Sequence, residues 1–177
     1  MYDAIQERIT DYEQEILRKL AEMERDECRG QQAPKSKNRQ KANAIKNRGQ
    51  EPMRQALYRI SGVDLTGIDA IGVETVQLVI SEYGPDLSRF PTEKQFVQHV
   101  TLAPHRPTSG GKPVKKKKRG SASTRIAGAL RMAALALRHS ETALGAYYRQ
   151  IARRTGADVA VFASARKLAT LIYRMLR

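Results

Sequence analysis

The amino-acid sequence predicts an all-α protein. Apolar residues recur at helical spacing in most segments, and no run with the two-residue alternation of a strand stands out between residues 50 and 177. With three Phe and no Trp, a core must be packed mainly with Ala, Leu, Ile and Val. A length of 177 residues allows one compact domain with an appendage, or two small domains.

Residues 1–28 are predicted to form a coiled-coil-like helix. The apolar residues recur at steps of four, three, four, four and three, at Ile5, Ile9, Tyr12, Ile16, Leu20 and Met23. Two consecutive four-residue steps break the heptad register, so any supercoil would be short. The narrow apolar seam favours pairing with a second helix, and hence a homo-oligomer, over packing on its own domain. Gly30 is the predicted stop signal.

Residues 29–53 are predicted to be a basic linker. The segment from residue 29 to residue 50 contains almost nothing to bury and is rich in Lys, Arg, Asn and Gln. This composition is typical of a flexible, solvated tether.

Residues 54–177 are predicted to form a compact helical domain that begins with a helix ending near Ser61 and Gly62. A small turn at Gly72 then opens a second helix, and the pair resembles the helix–hairpin–helix of DNA repair and recombination proteins. In that arrangement the turn from Gly72 to Thr75 would aim backbone amides at a phosphate. An ordinary αα-corner is the alternative. Asp64 and Asp69 are interpreted as turn or cap residues.

Four further helical segments follow. Residues 92–102 have helical spacing, and the next helix is expected to start near Arg125, with Ser121 or Thr124 as its cap. Its apolar face comprises Ile126, Leu130, Ala133, Ala134 and Leu137. Small residues beside this face, among them Gly128, would permit close helix approach. The last two helices are expected over residues 144–152 and 163–176.

The chain has a net charge of +14, and the excess of positive charge lies in two parts of it. Residues 29–59 carry nine Lys or Arg against one acid, and residues 105–177 carry seventeen against two. Residues 1–28 and 60–104 are acidic. Such segregation is typical of a nucleic-acid binder, and solubility alone would not require it.

The most informative segment is TSGGKPVKKKKRG, residues 108–120. Ser109 stands beside two glycines, which allow a backbone to pass close to a ligand. Six cations follow it, suited to holding a phosphodiester: Lys112, Lys115, Lys116, Lys117, Lys118 and Arg119. This pattern predicts chemistry on a nucleic-acid backbone, whereas a solvated basic tail and a nuclear-import signal are the alternatives.

Other classes of site are not indicated. Cys28 is the single cysteine, and His99, His105 and His139 are scattered, so no metal site is predicted. No signal peptide and no apolar run of membrane-spanning length is found. The sequence therefore predicts a cytoplasmic, nucleoid-associated protein with no membrane partner.

Four phrases in this order resemble a known family: LYRISGVDLTGIDAIGVETVQLVISEYG, DLSRFPTEKQF, TSGGK and ETALGAYYRQIARRTGADVAVFASARKLATLIYRML. They are similar to the C-terminal domain of the DEDD-type, bridge-RNA-guided insertion-sequence transposases, the insertion-sequence one-ten family. The resemblance spans residues 54–177. It implies a DNA partner, a guide RNA, and a helical DNA-binding part of a recombinase that acts by strand exchange.

The resemblance also assigns roles. Ser109 would be the nucleophile. From their charge, the loop cations and Arg125 are predicted to contact phosphates. Complete members also have an RNase-H-like domain with four acids that bind Mg²⁺. No trace of it is found here, so this chain alone is expected to bind no cofactor. The chain would then be a truncated, split or decayed transposase. The alternative is a non-catalytic nucleic-acid-binding remnant or interaction module.

Overall fold

The computed structural model describes residues 2–36, 38–103, 108–109, 112–113 and 124–177. Within these ranges the regular secondary structure is almost entirely helical, which confirms the predicted fold class. The α-helices are α1 (Tyr2–Glu22), α2 (Arg39–Asn47), α3 (Glu51–Ser61), α4 (Val73–Tyr83), α5 (Glu93–His99), α6 (Arg125–Ala136), α7 (Ala143–Thr155) and α8 (Ala157–Leu176). Short 3₁₀ turns lie at Asp26–Cys28, Leu65–Gly67 and Leu137–His139. None of these helices is long and apolar enough to cross a membrane.

The only extended structure in the described ranges is a minimal ladder. The strands β1 (Thr108–Ser109) and β2 (Lys112–Pro113) pair antiparallel. Two residues a strand are too few to show the alternation by which a strand is recognised in a sequence.

The chain forms two compact units. The first comprises residues 1–67 and 71–86 with Leu176, and the second comprises residues 68–70 and 87–175 with Arg177. The first unit therefore holds α1 to α4, and the second holds α5 to α7 and most of α8. The predicted boundaries at residues 28 and 53 stay a prediction.

The predicted N-terminal helix is present, but it ends earlier than expected. α1 stops at Glu22 and not near Gly30, because the chain then turns toward α3. The amide of Arg25 donates a hydrogen bond to the carbonyl of Arg59 at 3.2 Å, and the Arg59 guanidinium pairs with Glu24 at 3.1 Å. No residue of α1 is buried. Leu20 of the apolar seam is half-buried, whereas Ile5, Ile9, Tyr12 and Ile16 are exposed.

The expectation of a flexible linker with nothing to bury is wrong for residues 33–36 and 38–50. Residues 39–47 form α2, which Asn38 caps by accepting a hydrogen bond from the amide of Lys41. Ile45 and Ala33 are buried. The amide of Ala33 donates to the Gln55 side chain at 2.7 Å. Two apolar side chains and these polar contacts suffice to order a segment whose composition suggests a tether.

Helices α3 and α4 pack against each other to form much of the first core. Gly62 ends α3 in the left-handed conformation, with φ +76°, as the sequence predicts. Gly72 is the N-cap of α4. The connection between them includes the Leu65–Gly67 turn, so it is longer than one tight hairpin. The buried side chains facing this core include Leu57, Ile60, Leu65, Ile71, Val76, Val79 and Ile80.

The second unit is built around α6 and α8. The predicted apolar face of α6, from Ile126 to Leu137, is buried in full. Leu168 and Ile172 of α8 are also buried. Phe96 of α5 stacks on Tyr173 with ring centroids 5.8 Å apart, and the Tyr173 hydroxyl donates to the carbonyl of Phe90 at 2.6 Å.

Close approach in this unit depends on Gly145 and not on Gly128. Nothing lies within 4 Å of a β-carbon built at Gly128, so the prediction that this residue permits close helix approach is wrong. Gly145, near the start of α7, instead lies against the backbone of the turn that precedes the helix.

Candidate nucleic-acid interface

The segment that contains Ser109 begins and ends at one place in the second unit. The hydroxyl of Thr124 donates a hydrogen bond to the carbonyl of Val100 at 3.0 Å. The same hydroxyl accepts a hydrogen bond from the amide of Ala127 at 3.1 Å and so caps α6. Thr124 is therefore the predicted helix cap, and it also ties together the two ends of the 23-residue stretch from Thr101 to Ser123.

Ser109 lies opposite Lys112 in the β1–β2 ladder, and Thr108 lies opposite Pro113. This register brings the backbone of the candidate nucleophile next to that of the first cation of the basic run. The remaining predicted phosphate-binding residues of the run lie outside the described residues: Lys115, Lys116, Lys117, Lys118 and Arg119.

Arg125 is exposed in the first turn of α6. A cation at this end of a helix is opposed by the helix dipole, so it does not stabilise α6. Its position immediately after the basic segment is suited to an added phosphate contact.

The turn from Gly72 to Thr75 begins α4, but a carboxylate already occupies this helix N-terminus. Glu74 accepts a hydrogen bond from the Gln50 side chain at 2.6 Å and pairs with Arg48 at 3.6 Å. Burial alone would raise the pKa of Glu74, but the Gln50 bond, its own backbone amide and Arg48 together hold that pKa below the ordinary value. The resident negative charge opposes a phosphate at the same amides.

Asp64 is a turn residue, as predicted, and it also holds a buried cation. One of its oxygens accepts hydrogen bonds from the Thr66 amide at 3.0 Å and from the Thr66 hydroxyl at 2.5 Å. The other oxygen pairs with Arg54 at 2.5 Å. Arg54 also contacts Glu51 at 2.9 Å and the carbonyl of Pro34 at 2.5 Å. The network fixes the connection that leads from α3 to α4.

The second unit also carries a cationic concavity that was not predicted. A cavity of about 440 Å³ is lined by Arg138, His139, Arg149 and Arg153, with Tyr148 at its wall. No carboxylate lines it among the described residues. Arg149 is held in place by donating to the carbonyl of Ser140 at 2.6 Å.

Part of this cluster was readable from the sequence. Arg149 and Arg153 are four residues apart, so they share one face of a helix. Arg138 comes from the preceding 3₁₀ turn, and only the packing of that turn against α7 brings it to the same cavity.

In its described residues this chain is all-α, and arginines line a concavity of its second unit, so it falls in the class of basic, all-α proteins to which many nucleic-acid binders belong. Residues 64–149 match the model of the Transposase IS116/IS110/IS902 family. The match runs from the turn before α4 into α7, covers just under half of the chain and includes the whole basic segment around Ser109. It supports a transposase-related function. Neither a curated protein nor a solved structure gave a match.

Proposed function

We propose that this chain is the DNA-binding part of a transposase, and that Ser109 is its nucleophile in strand exchange. The observation that carries the proposal is the family match over residues 64–149, which contains the serine, the glycines and the basic run in one segment. The charge of the described C-terminal residues supports it, because residues 124–177 contain ten Lys or Arg against two acids.

The loop would hold phosphates on Lys112, Lys115, Lys116, Lys117, Lys118 and Arg119. Arg125 and the arginines of the 440 Å³ cavity would extend the contact along the DNA. Neutralising six phosphates gives a log–log salt slope of roughly −5 for duplex DNA. A titration of labelled DNA at several salt concentrations measures this slope, and a flat response would contradict the electrostatic contact.

In the proposed reaction the Ser109 hydroxyl oxygen attacks a DNA phosphorus atom. A serine–phosphate ester forms, one bond from phosphorus to a deoxyribose oxygen breaks, and the freed oxygen takes up a proton as a hydroxyl. The serine proton passes to a base outside this chain's described residues. Because one phosphate ester replaces another, the bond energy is conserved for rejoining the strands.

In the described ranges no three His, Cys, Asp or Glu side chains come together to hold a metal ion. The acids, and the Mg²⁺ that the resemblance implies, belong in the proposal to a separate RNase-H-like domain.

The nucleophile is tested by incubating the chain with donor and target DNA, guide RNA, Mg²⁺ and a supplied RNase-H-like domain. A covalent protein–DNA adduct is expected with the wild type and with Ser121→Ala, and none with Ser109→Ala. An adduct that persists in Ser109→Ala rejects the nucleophile.

A non-catalytic nucleic-acid-binding module is the second candidate. It is favoured by the lack of a local acid cluster in the described part of the chain. Salt-dependent binding without an adduct under any of these conditions would select it.

We further propose that α1 pairs with a second copy of itself. Ile5, Ile9, Tyr12 and Ile16 are 53%, 44%, 61% and 36% exposed, which leaves a continuous apolar seam in water. Residues 1–28 carry nine acids against four Lys or Arg, so two such helices repel each other. Salt should therefore strengthen this pairing while it weakens DNA binding. Sedimentation of the wild type and Ile9→Glu at two salt concentrations tests it.

A further inference from the structure

A second cavity, of about 610 Å³, lies in the second unit beside α8. Val159 and Phe162 of α8 line it, together with Tyr147 of α7 and Leu102 of the turn that follows α5. Its volume falls within the range of roughly 300–1,000 Å³ that is typical of sites for small organic groups. None of the residues discussed above as a DNA contact lines it.

The apolar wall of this cavity is open to solvent. Phe162 is 48% exposed and Val159 is 51% exposed. The guanidinium of Arg131 lies 5.5 Å from the centroid of the Phe162 ring. An aromatic ring beside a guanidinium, with half of its surface in water, is suited to stacking a second flat ring.

The rest of the lining is cationic. Arg166, Lys167 and Arg174 line the cavity, against one carboxylate, Glu93, among the described lining residues. Glu93 is engaged by Arg174 at 2.7 Å. Arg166 makes no hydrogen bond or ion pair with any other described residue. The cavity therefore offers an aromatic surface and a free positive charge at the same place.

We propose that this cavity binds an unpaired nucleotide of a nucleic-acid single strand. Its base stacks on Phe162, and its phosphate is held by Arg166 and Lys167. A base within a duplex is already stacked and paired, whereas an unpaired base exposes both faces and gains by stacking on a ring. A purely apolar ligand would leave the cations unused. The proposal rests on the nucleic-acid binding proposed above and adds a single-strand site to it.

The position of the cavity in the chain fits this role. Ala103, which lines it, is six residues before Ser109, so the two Cα atoms are at most about 22 Å apart. Thr101, also in the lining, has φ +64°. A β-branched residue in this conformation is a backbone outlier, and such strain is concentrated at ligand sites.

The test uses the full chain and a fluorescently labelled single-stranded oligonucleotide, made with bases and as an abasic copy with the same phosphates. Removal of the bases should weaken binding to the wild type about ten-fold, as expected for the loss of one stacked base. Phe162→Ala should bind both probes equally. Phe162→Tyr retains the ring and should restore the difference.

Met132→Ala is the matched control, because Met132 is 67% exposed and does not line the cavity. It should keep the full ten-fold difference. Arg166→Gln should weaken binding to both probes by the same factor, since it removes a phosphate contact and no stacking surface. DNA and RNA versions of the probe show which single strand depends more on Phe162.

The outcomes separate this inference from the proposed function. If the wild type binds neither probe, the single-strand site is wrong, and the duplex DNA titration described above decides the proposed DNA binding. If it binds both probes equally, or if Phe162→Ala keeps the ten-fold difference, the single-strand site is wrong and the proposed DNA binding stands. A melting curve for each variant confirms that it remains folded.

Discussion

Gly145 packs directly against the backbone of Ser140: a β-carbon built at Gly145 would lie 2.0 Å from the carbonyl oxygen of Ser140. It would also meet the carbonyl oxygen of Leu137 at 3.0 Å. Both are backbone atoms, so no side chain can move aside. The contact seats α7 on the turn that follows α6, and this turn carries Arg138 into the cationic concavity.

Gly145→Ala is therefore expected to destabilise the protein by about 3 kcal/mol or more, at the upper end of overpacking effects. Gly128→Ala makes the same chemical change in α6, where nothing lies within 4 Å of the new carbon. That variant should be about 0.5–1 kcal/mol more stable, since Ala is the better helix former. Urea unfolding of both measures the difference, and equal effects would contradict the close approach.

Asp64→Ala should lower the free energy of unfolding by about 3–5 kcal/mol, because it leaves the buried Arg54 cation without this partner. The side chains of Arg54 and Asp64 are only 6% and 9% exposed. Burial alone would lower the pKa of Arg54, but Asp64 and Glu51 raise it above its ordinary value, so the guanidinium stays charged.

Two comparisons check the cause of this loss. Arg54→Met, which removes the charge and keeps the volume, should cost less than Asp64→Ala. Glu93→Ala breaks the more exposed pair with Arg174 and should lower the free energy of unfolding much less than Asp64→Ala does. Similar losses for Asp64→Ala and Glu93→Ala in chemical denaturation would mean that burial does not decide the effect.

Thr124→Val should destabilise the second unit by about 1–2 kcal/mol, because it removes both the α6 cap and the bond to Val100. Thr124→Ser keeps both bonds and serves as the control. Thr92→Val removes a cap of the same kind, at α5, for which no second bond is found among the described residues. The amount by which Thr124→Val lowers the free energy of unfolding more than Thr92→Val does measures the contribution of the hydrogen bond to Val100. Equal losses would show that only the helix cap matters.

The helices could be predicted because their signals are local. The face from Ile126 to Leu137 has the helical period, and Gly62 and Thr124 are ordinary stop and cap residues, so α3 and α6 were expected close to their observed bounds. The α2 segment was missed because its order depends on Ile45 and on contacts with α3, which no local pattern shows.

The candidate site was predicted only where the chemistry is contiguous in the chain. Ser109 and the six cations stand in one segment, so the loop could be identified from composition. The two cavities could not, because Arg138 and Arg149, or Leu102 and Phe162, come together only through helix packing. The role of Glu74 was also missed, since its partners Arg48 and Gln50 precede α3 in the sequence whereas Glu74 follows it.

The pKa of Glu93 should respond to Arg174. The hydrogen bond from Arg174 lowers this pKa below its ordinary value of 4.5, with further lowering by the charges of Lys167 and Lys94. The stability that this pair contributes is therefore fully present above about pH 4.5 and is lost as the pH falls through the lowered value. Carboxyl NMR titration of Glu93 should show a rise toward 4.5 in Arg174→Gln.

The control for this titration is Arg177→Gln. Arg177 donates to the carbonyl of Pro91 and to the Tyr173 hydroxyl, at 3.0 Å in both cases, and not to Glu93. The Arg177→Gln variant also removes one positive charge from the same end of α8. The same shift of the Glu93 midpoint in both variants would show that overall charge, and not the hydrogen bond from Arg174, sets it.

Glu74→Gln tests whether the turn from Gly72 to Thr75 contacts phosphate. The Glu74 carboxylate lies at the N-terminus of α4, where it competes with any other anion for the same amides. If DNA phosphate binds there, removal of the Glu74 charge should raise DNA affinity about two- to five-fold at low salt, and less at high salt. Glu82→Gln makes the same change in net charge near the other end of α4 and should have little effect. Equal gains in the two variants, measured by fluorescence anisotropy, would mean that only net charge matters and that this turn does not contact the DNA.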